Sequence, residues 1–160
     1  MELTLFATIT DFKTENAAEL KGLNLAWMKQ YESKGGTYAP LLENPETSIL
    51  AQGGKIFVAF VKADLVGTCV LLRKSVKHYE ICLMAVKPYY QGKNIGKQLL
   101  SAAIDAARTL HAKTIELITN PKLAAAVDLY KTHGFHEVKD FEVTSVLFDE
   151  NDIKMEMALM

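Results

Sequence analysis

A glycine-bearing turn before an amphipathic helix is the segment of this sequence best suited to chemistry. An apolar run ends at Val86, and Pro88 follows it, a residue that cannot donate a main-chain hydrogen bond to a partner strand. The chain then enters the helix pattern through Gln91-Gly92-Lys93-Asn94-Ile95-Gly96-Lys97. Free N–H groups at a helix start attract anions, and glycines let a diphosphate approach the main chain. The segment therefore predicts a phosphate-binding turn.

The spacing of the glycines excludes two familiar phosphate-binding loops. The P-loop needs four residues between its glycines, whereas Gly92 and Gly96 enclose three, and the dinucleotide pattern G-x-G-x-x-G is absent. Asparagine is the non-glycine residue that most readily adopts a left-handed conformation, which suits Asn94 to a turn. Lys93 and Lys97 add positive charge nearby. Taken alone, the turn is explained equally well as a simple connection.

One acidic residue lies inside an otherwise apolar run. The run from His78 to Val86 predicts a strand, and alternation places Glu80 on one face with Cys82, Met84 and Val86. Desolvation raises the pKa of a carboxyl group towards the value that a general base needs near neutral pH. Glu80 is therefore a candidate base, and equally a carboxylate at a strand end that is solvated or paired with a lysine.

Composition and charge narrow the classes of function. The chain has 160 residues, of which 49% are apolar and 23% are charged, so we expect one globular domain over residues 1–160. Because 18 Lys and Arg balance 19 Asp and Glu, we expect no nucleic-acid partner. We also expect no membrane segment or secretory signal, and hence a cytoplasmic protein. The 4 histidines and 2 cysteines have no metal-binding spacing.

Hydrophobic periodicity predicts the elements that position these residues. Apolar runs and alternation predict strands over 3–9, 56–61, 65–72, 78–86, 114–119, 135–146 and 153–159. Spacings of three and four, with capping residues and glycine stops, predict helices after Thr14, near 46–51, over 95–110 and over 123–133. We therefore predict an α+β fold, a mixed, mostly antiparallel sheet of about seven strands with about four flanking helices. The last strand is expected at a sheet edge or paired with a second copy.

A second motif, about 38 residues further on, relates the turn to a family. Thr119-Asn120-Pro121 closes a strand, and Leu129-Tyr130-Lys131-Thr132-His133-Gly134-Phe135 closes the next helix. The pair resembles the GNAT superfamily of acyl-CoA-dependent N-acyltransferases, with its Q/R-x-x-G-x-G/A pyrophosphate loop and its L-Y-x-x-x-G-F helix end. The resemblance is strongest over residues 55 to 139. Asn94 replaces a frequent glycine of that loop, and Leu123 stands where many members carry a cofactor-binding asparagine.

The resemblance implies a GNAT-like sheet that is splayed between its fourth and fifth strands, and acetyl-CoA as acyl donor. It implies that Tyr130 protonates the leaving thiolate, and packing in the core is the alternative role of this residue. It also places the thioester roughly 10 Å from Glu80, so we expect Glu80 to act as a base through a water molecule. It also implies a set of cofactor-binding residues along the fourth strand, the turn and the start of the helix, with Asn120 in place of the missing asparagine: Met84, Ala85, Val86, Gln91, Gly92, Lys93, Asn94, Ile95, Gly96, Lys97 and Asn120.

These expectations combine into an N-acetyltransferase that moves an acetyl group from acetyl-CoA to a primary amine by direct attack in a ternary complex. The acceptor is a small-molecule or peptide amine, and Trp27, Tyr31 and residues 35–45 are a hypothesis for its wall. Two alternatives stay open: a non-catalytic module that binds acyl-CoA, and a nucleotide-binding α/β domain. A homodimer is favoured by analogy alone.

Overall fold

A mixed sheet with helices on both faces forms the body of the protein. The computed structural model describes residues 4–139, 141–142 and 145–159. Within these ranges, seven strands pair in the order β1-β2-β3-β4-β5-β7-β6, and only β4 and β5 are parallel. The strands are β1 (Thr8–Asp11), β2 (Lys55–Val61), β3 (Asp64–Ser75), β4 (His78–Val86), β5 (Thr114–Thr119), β6 (His136–Val138) and β7 (Ile153–Ala158). The predicted fold class is confirmed.

Four helices of five or more residues lie on this sheet within the described ranges. They are α1 (Ala17–Gln30), a π-helical turn over Glu46–Leu50, α2 (Ile95–Thr109) and α3 (Ala124–Thr132). Helix α2 buries one apolar stripe, including Leu99, Ala103 and Ala107, against one face of the sheet. Leu20 and Met28 of α1 pack on the opposite face with Ile49 of the π-helical turn. The sheet therefore separates two apolar cores.

The parallel pair β4 and β5 stays together over only three residue pairs. His78, Tyr79 and Glu80 align with Thr114, Ile115 and Glu116, and beyond them the two strands part. Strand β5 continues by pairing with β7 along its whole length. The two strands thus leave a gap at the far end of β4, which confirms the splay predicted between the fourth and fifth strands.

A bulge interrupts β4 just where the gap opens. Thr68 and Val70 of β3 are two residues apart, yet they align with Ala85 and Cys82, which are three apart, so β4 carries one extra residue. Leu83 takes up this residue in the left-handed region, at φ 49°. Tyr79 and Ile81 pack in the α2 core, whereas Cys82 and Leu83 both pack in the α1 core. The bulge exchanges the faces of all later residues, and Met84 and Val86 contact the α2 core.

The expectation that Glu80 and Cys82 share a face with Met84 and Val86 is therefore wrong, because unbroken alternation assumed a regular strand. Two further expectations differ from the structure. The strand predicted over 135–146 is limited to His136–Val138, and residues 140, 143 and 144 lie outside the described ranges. Strand β7 lies between β5 and β6, so its expected position at a sheet edge is wrong.

The first strand also begins later than expected, at Thr8, after residues 4–7, which have no strand partner. Apolar alternation in this segment had predicted a strand over 3–9, but these residues lie against the start of α2 instead. In the part of the chain that the structure describes, none of the helices has the length and hydropathy needed to cross a bilayer.

Candidate active site

The predicted phosphate turn links the end of β4 to α2. A short 3-10 turn over Pro88–Tyr90 leads into Gly92, at φ 77°, and Asn94, at φ 65° and ψ 20°. The left-handed conformation expected for Asn94 is confirmed. Asn94 Nδ2 donates to Thr4 Oγ1 over 2.7 Å, and among the described residues no side chain caps the helix and no acidic residue lies in its first turn. The N–H groups of this first turn have no acceptor within the helix.

Both glycines of the turn face open space. An added Cβ at Gly92 or at Gly96 would meet no described atom within 4 Å. Gly92 is explained by its positive φ, but Gly96 lies within α2, where glycine costs roughly 1 kcal/mol relative to alanine. No packing contact in the described structure compensates for this cost. A ligand that approaches the main chain closely would account for it.

The N-terminal segment holds this turn in place. Leu5 N donates to Lys93 O over 3.0 Å. Gln98 joins both sides, because its Nε2 donates to Leu5 O and its Oε1 accepts from Ala7 N. Lys93 Nζ lies 4.1 Å from the centre of the Tyr89 ring. These contacts fix the direction of the amides before any ligand arrives, which reduces the ordering cost of binding.

A cavity of about 550 Å³ fills the gap between β4 and β5. Its wall includes Ile81, Leu117 and Tyr130 from the α2 core and Met28, Tyr38, Cys82 and Leu83 from the α1 core. The cavity therefore passes through the sheet and connects the two faces. Its remaining wall residues come from α1 and the residues just after it, the end of β4, the turn, the end of β5, the connection to α3 and its first turn, and the segment before β7: Asn24, Trp27, Tyr31, Ser33, Met84, Val86, Gln91, Ile118, Thr119, Lys122, Leu123, Ala124, Ala125, Ala126, Leu147 and Phe148.

Tyr130, the predicted acid, lies on α3 in the wall of this cavity. Its ring packs edge-on against Phe135, with 6.0 Å between ring centres. Burial raises the pKa of the Tyr130 hydroxyl, which therefore keeps its proton near neutral pH. Within the described residues the Tyr130 hydroxyl has no hydrogen-bond partner. Every polar side-chain atom there that is fully inaccessible to solvent does have a partner, so the Tyr130 oxygen must be accessible, and it opens into the cavity. It is a free proton donor at this position.

Glu80, the predicted base, lies behind the cavity wall. It is 3% exposed and does not itself line the cavity. The Tyr38 hydroxyl donates a short hydrogen bond to Glu80 Oε2, and Lys74 Nζ lies 3.5 Å from Oε1. Burial raises the pKa of Glu80, while the hydrogen bond from Tyr38 and the charge of Lys74 partly oppose that rise. Tyr38 does line the cavity, so its side chain connects Glu80 to the cavity.

Asn120 does not line the cavity, although it was expected to contact the cofactor. Its Nδ2 donates to Asp149 Oδ1 and Asp152 Oδ1 over 2.8 and 3.1 Å, and its Oδ1 accepts from Lys122 N. Asp152 in turn accepts from the main chain of Phe148. The amide of Asn120 is thus engaged in holding the connection before β7, which carries Phe148 against the cavity. Both Nδ2 protons of Asn120 are in use here, and its contact with the cofactor stays a prediction.

Other predicted residues do meet at the cavity. Met84, Val86 and Gln91 line it, and the turn continues from Gln91 into α2. Ala85 lies on the opposite face of β4, in the α1 side of the core. Trp27 and Tyr31, proposed for the acceptor wall, line the cavity and pack with 4.8 Å between their ring centres.

Sequence reasoning included Tyr38 only as part of the 35–45 segment and missed its contact with Glu80, and it missed Asn24 altogether. Tyr38 follows a glycine pair in a segment with two prolines, and nothing in its spacing indicates that it meets Glu80. Asn24 lies on the otherwise apolar buried stripe of α1, where a polar residue that is 2% exposed is unusual. That single polar residue on the buried stripe was the only available signal.

Comparison with known proteins agrees with this geometry. Residues 20–135 match the acetyltransferase (GNAT) family. A relative from Bacillus subtilis, described as the uncharacterized N-acetyltransferase YvbK, is 36% identical over 98 residues, which make up 59% of this chain and 63% of that protein. The matched segment thus spans less than two thirds of that relative.

Solved structures share the whole fold. A GNAT-family acetyltransferase from Staphylococcus aureus has a TM-score of 0.81 and 25% identity, over 97% of this chain and 100% of that one. An acetyltransferase from Bacillus subtilis, solved in complex with CoA, has a TM-score of 0.72 and 25% identity over the same shares of the two chains. The chain belongs to the GNAT acetyltransferase family, as predicted. Membership confirms the prediction of an acyltransferase and supports acetyl-CoA as the donor.

Proposed function

We propose that this chain forms one N-acetyltransferase domain, which moves the acetyl group of acetyl-CoA to a primary amine by direct attack within a ternary complex. The observation that carries this proposal is the cavity through the sheet, which joins the end of β4 and the turn on one side to α1 on the other. Donor and acceptor can enter from opposite faces and meet in the gap. Holding two reactants together in this way lowers the entropic part of the barrier.

The donor is held by main chain rather than by side chains. The pyrophosphate contacts the N–H groups from Gly92 to Lys97, where both glycines leave room and the helix dipole favours negative charge. The pantetheine arm lies along the edge of β4 at Met84 to Val86, where β5 has departed, and pairs with it as an added strand. The Bacillus subtilis structure that resembles this chain contains CoA, which supports CoA as the kind of ligand that this site binds.

The thioester then lies beside the bulge. A bulge keeps one residue out of the ladder, so a main-chain N–H near Leu83 or Met84 is the proposed donor to the oxyanion formed on attack. The nitrogen lone pair forms the new C–N bond, and one N–H proton passes to the Tyr38 oxygen while the Tyr38 proton passes to Glu80. The C–S bond breaks, and Tyr130 gives its proton to the thiolate. Solvent exchange returns the proton from Glu80 to Tyr130.

A thiol-release assay with acetyl-CoA and a panel of primary amines tests the proposal. Tyr130→Phe and Glu80→Gln should each lower kcat while the Kd for CoA, measured by calorimetry, stays near that of the wild type. Tyr79→Phe is a matched control, since Tyr79 is buried but outside the cavity. Unchanged turnover in both site variants would contradict the assigned roles. Binding of CoA without turnover for any amine would favour the non-catalytic module instead.

A further inference from the structure

Asn24 presents a free polar atom to the cavity from the buried side of α1. Its Nδ2 donates to Leu20 O over 2.9 Å and to Thr68 Oγ1 over 3.0 Å. Thr68 Oγ1 in turn donates to Leu83 O over 3.1 Å. This chain of hydrogen bonds connects α1 to the bulge of β4.

Donor and acceptor chemistry fixes the direction of each of these three hydrogen bonds. The carbonyl oxygens of Leu20 and Leu83 can only accept. The Thr68 hydroxyl must therefore donate its single proton to Leu83 O, and it can only accept a hydrogen bond from Asn24. Both protons of Asn24 Nδ2 are thus in use, so the orientation of the amide is determined. The remaining atom, Oδ1, is an acceptor with a fixed direction.

Asn24 Oδ1 has no hydrogen-bond partner among the described residues, but it is accessible from the cavity. Within the described ranges it receives no hydrogen bond from the protein, although Asn24 is 2% exposed. In those ranges every polar side-chain atom that is fully inaccessible to solvent has a hydrogen-bond partner. Oδ1 must therefore be accessible, and because Asn24 lines the cavity, the space that Oδ1 reaches is the cavity. An acceptor buried in this way is costly unless something in the cavity donates to it.

The surrounding wall shows what else the occupant must be. On the α1 side the wall is largely apolar or aromatic, and Trp27 packs against Phe148 as well as Tyr31. Among the described residues, Lys122 is the one charged residue of the wall, and no carboxylate lines it, because Glu80 lies behind Tyr38. A polycationic acceptor would find no counter-charge there, and desolvating its extra ammonium groups would oppose binding.

We propose that Asn24 Oδ1 accepts one N–H of the reacting amine, and that the rest of the acceptor is an apolar or aromatic group without further positive charge. This inference rests on the proposed function. Asn24 is joined through Thr68 to the bulge, beside which the thioester lies, so a nitrogen bound to Oδ1 is close to the carbonyl carbon. A neutral primary amine has two N–H groups, one for Asn24 and one for the transfer to Tyr38.

Wild-type protein tests the acceptor class without any substitution. In the thiol-release assay, kcat/KM should be higher for 2-phenylethylamine than for its N-methyl derivative, which has one N–H fewer, and higher than for spermidine. Higher kcat/KM for spermidine, or equal values for the primary and the N-methyl amine, would overturn the inference while leaving the acetyltransferase assignment intact. If no amine in the panel releases thiol, the proposed function fails, and the inference fails with it.

A substitution tests the role of Asn24 itself. Asn24→Leu should raise the KM for 2-phenylethylamine roughly three- to ten-fold, as expected for one lost hydrogen bond, and the preference over the N-methyl amine should shrink. The Kd for CoA should stay unchanged, because Thr68 still donates to Leu83 O and holds the bulge, whereas a general loss of structure would weaken CoA binding. Gln30→Leu makes the same chemical change on the exposed side of α1 and should change neither value. An unchanged KM in folded Asn24→Leu would refute the role of this residue.

Discussion

Replacement of Gly96 by alanine should move stability and cofactor binding in opposite directions. Gly96 lies in the first turn of α2, has an ordinary helical φ, and has no described atom within 4 Å of an added Cβ. Alanine there lowers the entropy of the unfolded chain and improves helix propensity, by about 0.4–1 kcal/mol. For a chain of this size the melting temperature of the ligand-free protein should rise by roughly 1–4 °C.

The same methyl group should weaken the binding of CoA. If the pyrophosphate lies on the main chain of the turn, it approaches Gly96 through the space that the methyl group would occupy. Displacing it from one amide should cost at least about 1.4 kcal/mol, which is ten-fold in Kd. The variant should thus be more stable alone and should gain less stability from added CoA.

Gly22→Ala is the matched control for this experiment. Gly22 is also a helical glycine with no described atom within 4 Å of an added Cβ, but it lies on α1 and outside the cavity. Calorimetric scanning without ligand and titration with CoA should show higher stability for both variants and weaker binding for Gly96→Ala alone. Wild-type affinity in Gly96→Ala would refute the placement of the pyrophosphate on this turn.

Three further predictions address other parts of the site. Tyr130→Phe should lower kcat about 10²- to 10⁴-fold, measured by thiol release at saturating amine. The pKa of Glu80 is raised in the folded protein. The contribution of this carboxyl group to the free energy of unfolding is therefore fully present below its ordinary pKa of 4.5, and it is lost as the pH rises through the raised pKa of the folded state. The stability of Glu80→Gln relative to wild type should therefore increase with pH in urea denaturation. Asn94→Val should lower the unfolding free energy by about 1–2 kcal/mol, because a β-branched residue is strained at φ 65°.

The turn and α2 could be predicted because their signals are local. Apolar residues at helical spacing define α2, and the residues that enter it, Gly92 and Asn94, belong to the types that adopt positive φ. Tyr130 was found through the helix-end motif and lies on the cavity as expected. In each case the residues that predict the element are the same residues that form it, within one short segment of the chain.

The bulge in β4 could not be predicted, because no local signal marks it. Leu83 is neither glycine nor asparagine, yet it has φ 49°. Its carbonyl is held by Thr68, 15 residues away, and Thr68 is held by Asn24, 44 residues away. Strain of this kind persists only when the surrounding structure enforces it. The face of every residue after the bulge depends on these distant contacts.

The partners of Glu80 and Asn120 were missed for the same reason. Tyr38 is separated from Glu80 by 42 residues and comes from a segment without regular periodicity. Asn120 was assigned by its distance from a motif position, but its amide bonds to Asp149 and Asp152, which are 29 and 32 residues away. Sequence identifies a polar residue that needs a partner, whereas only the fold identifies the partner.

The early end of the pairing between β4 and β5 explains how the proposed acid and the proposed base, which lie on opposite faces of the sheet, could serve one reaction. Tyr130 belongs to the core under α2, and Tyr38 belongs to the core under α1. A continuous sheet would place main chain between them. Because pairing stops at Glu80 and Glu116, the space between the strands is open to both faces, and the freed edge of β4 offers main-chain groups to an extended ligand. In the proposed complex the donor takes the place of a missing strand, and its reactive carbon lies where both faces can reach it.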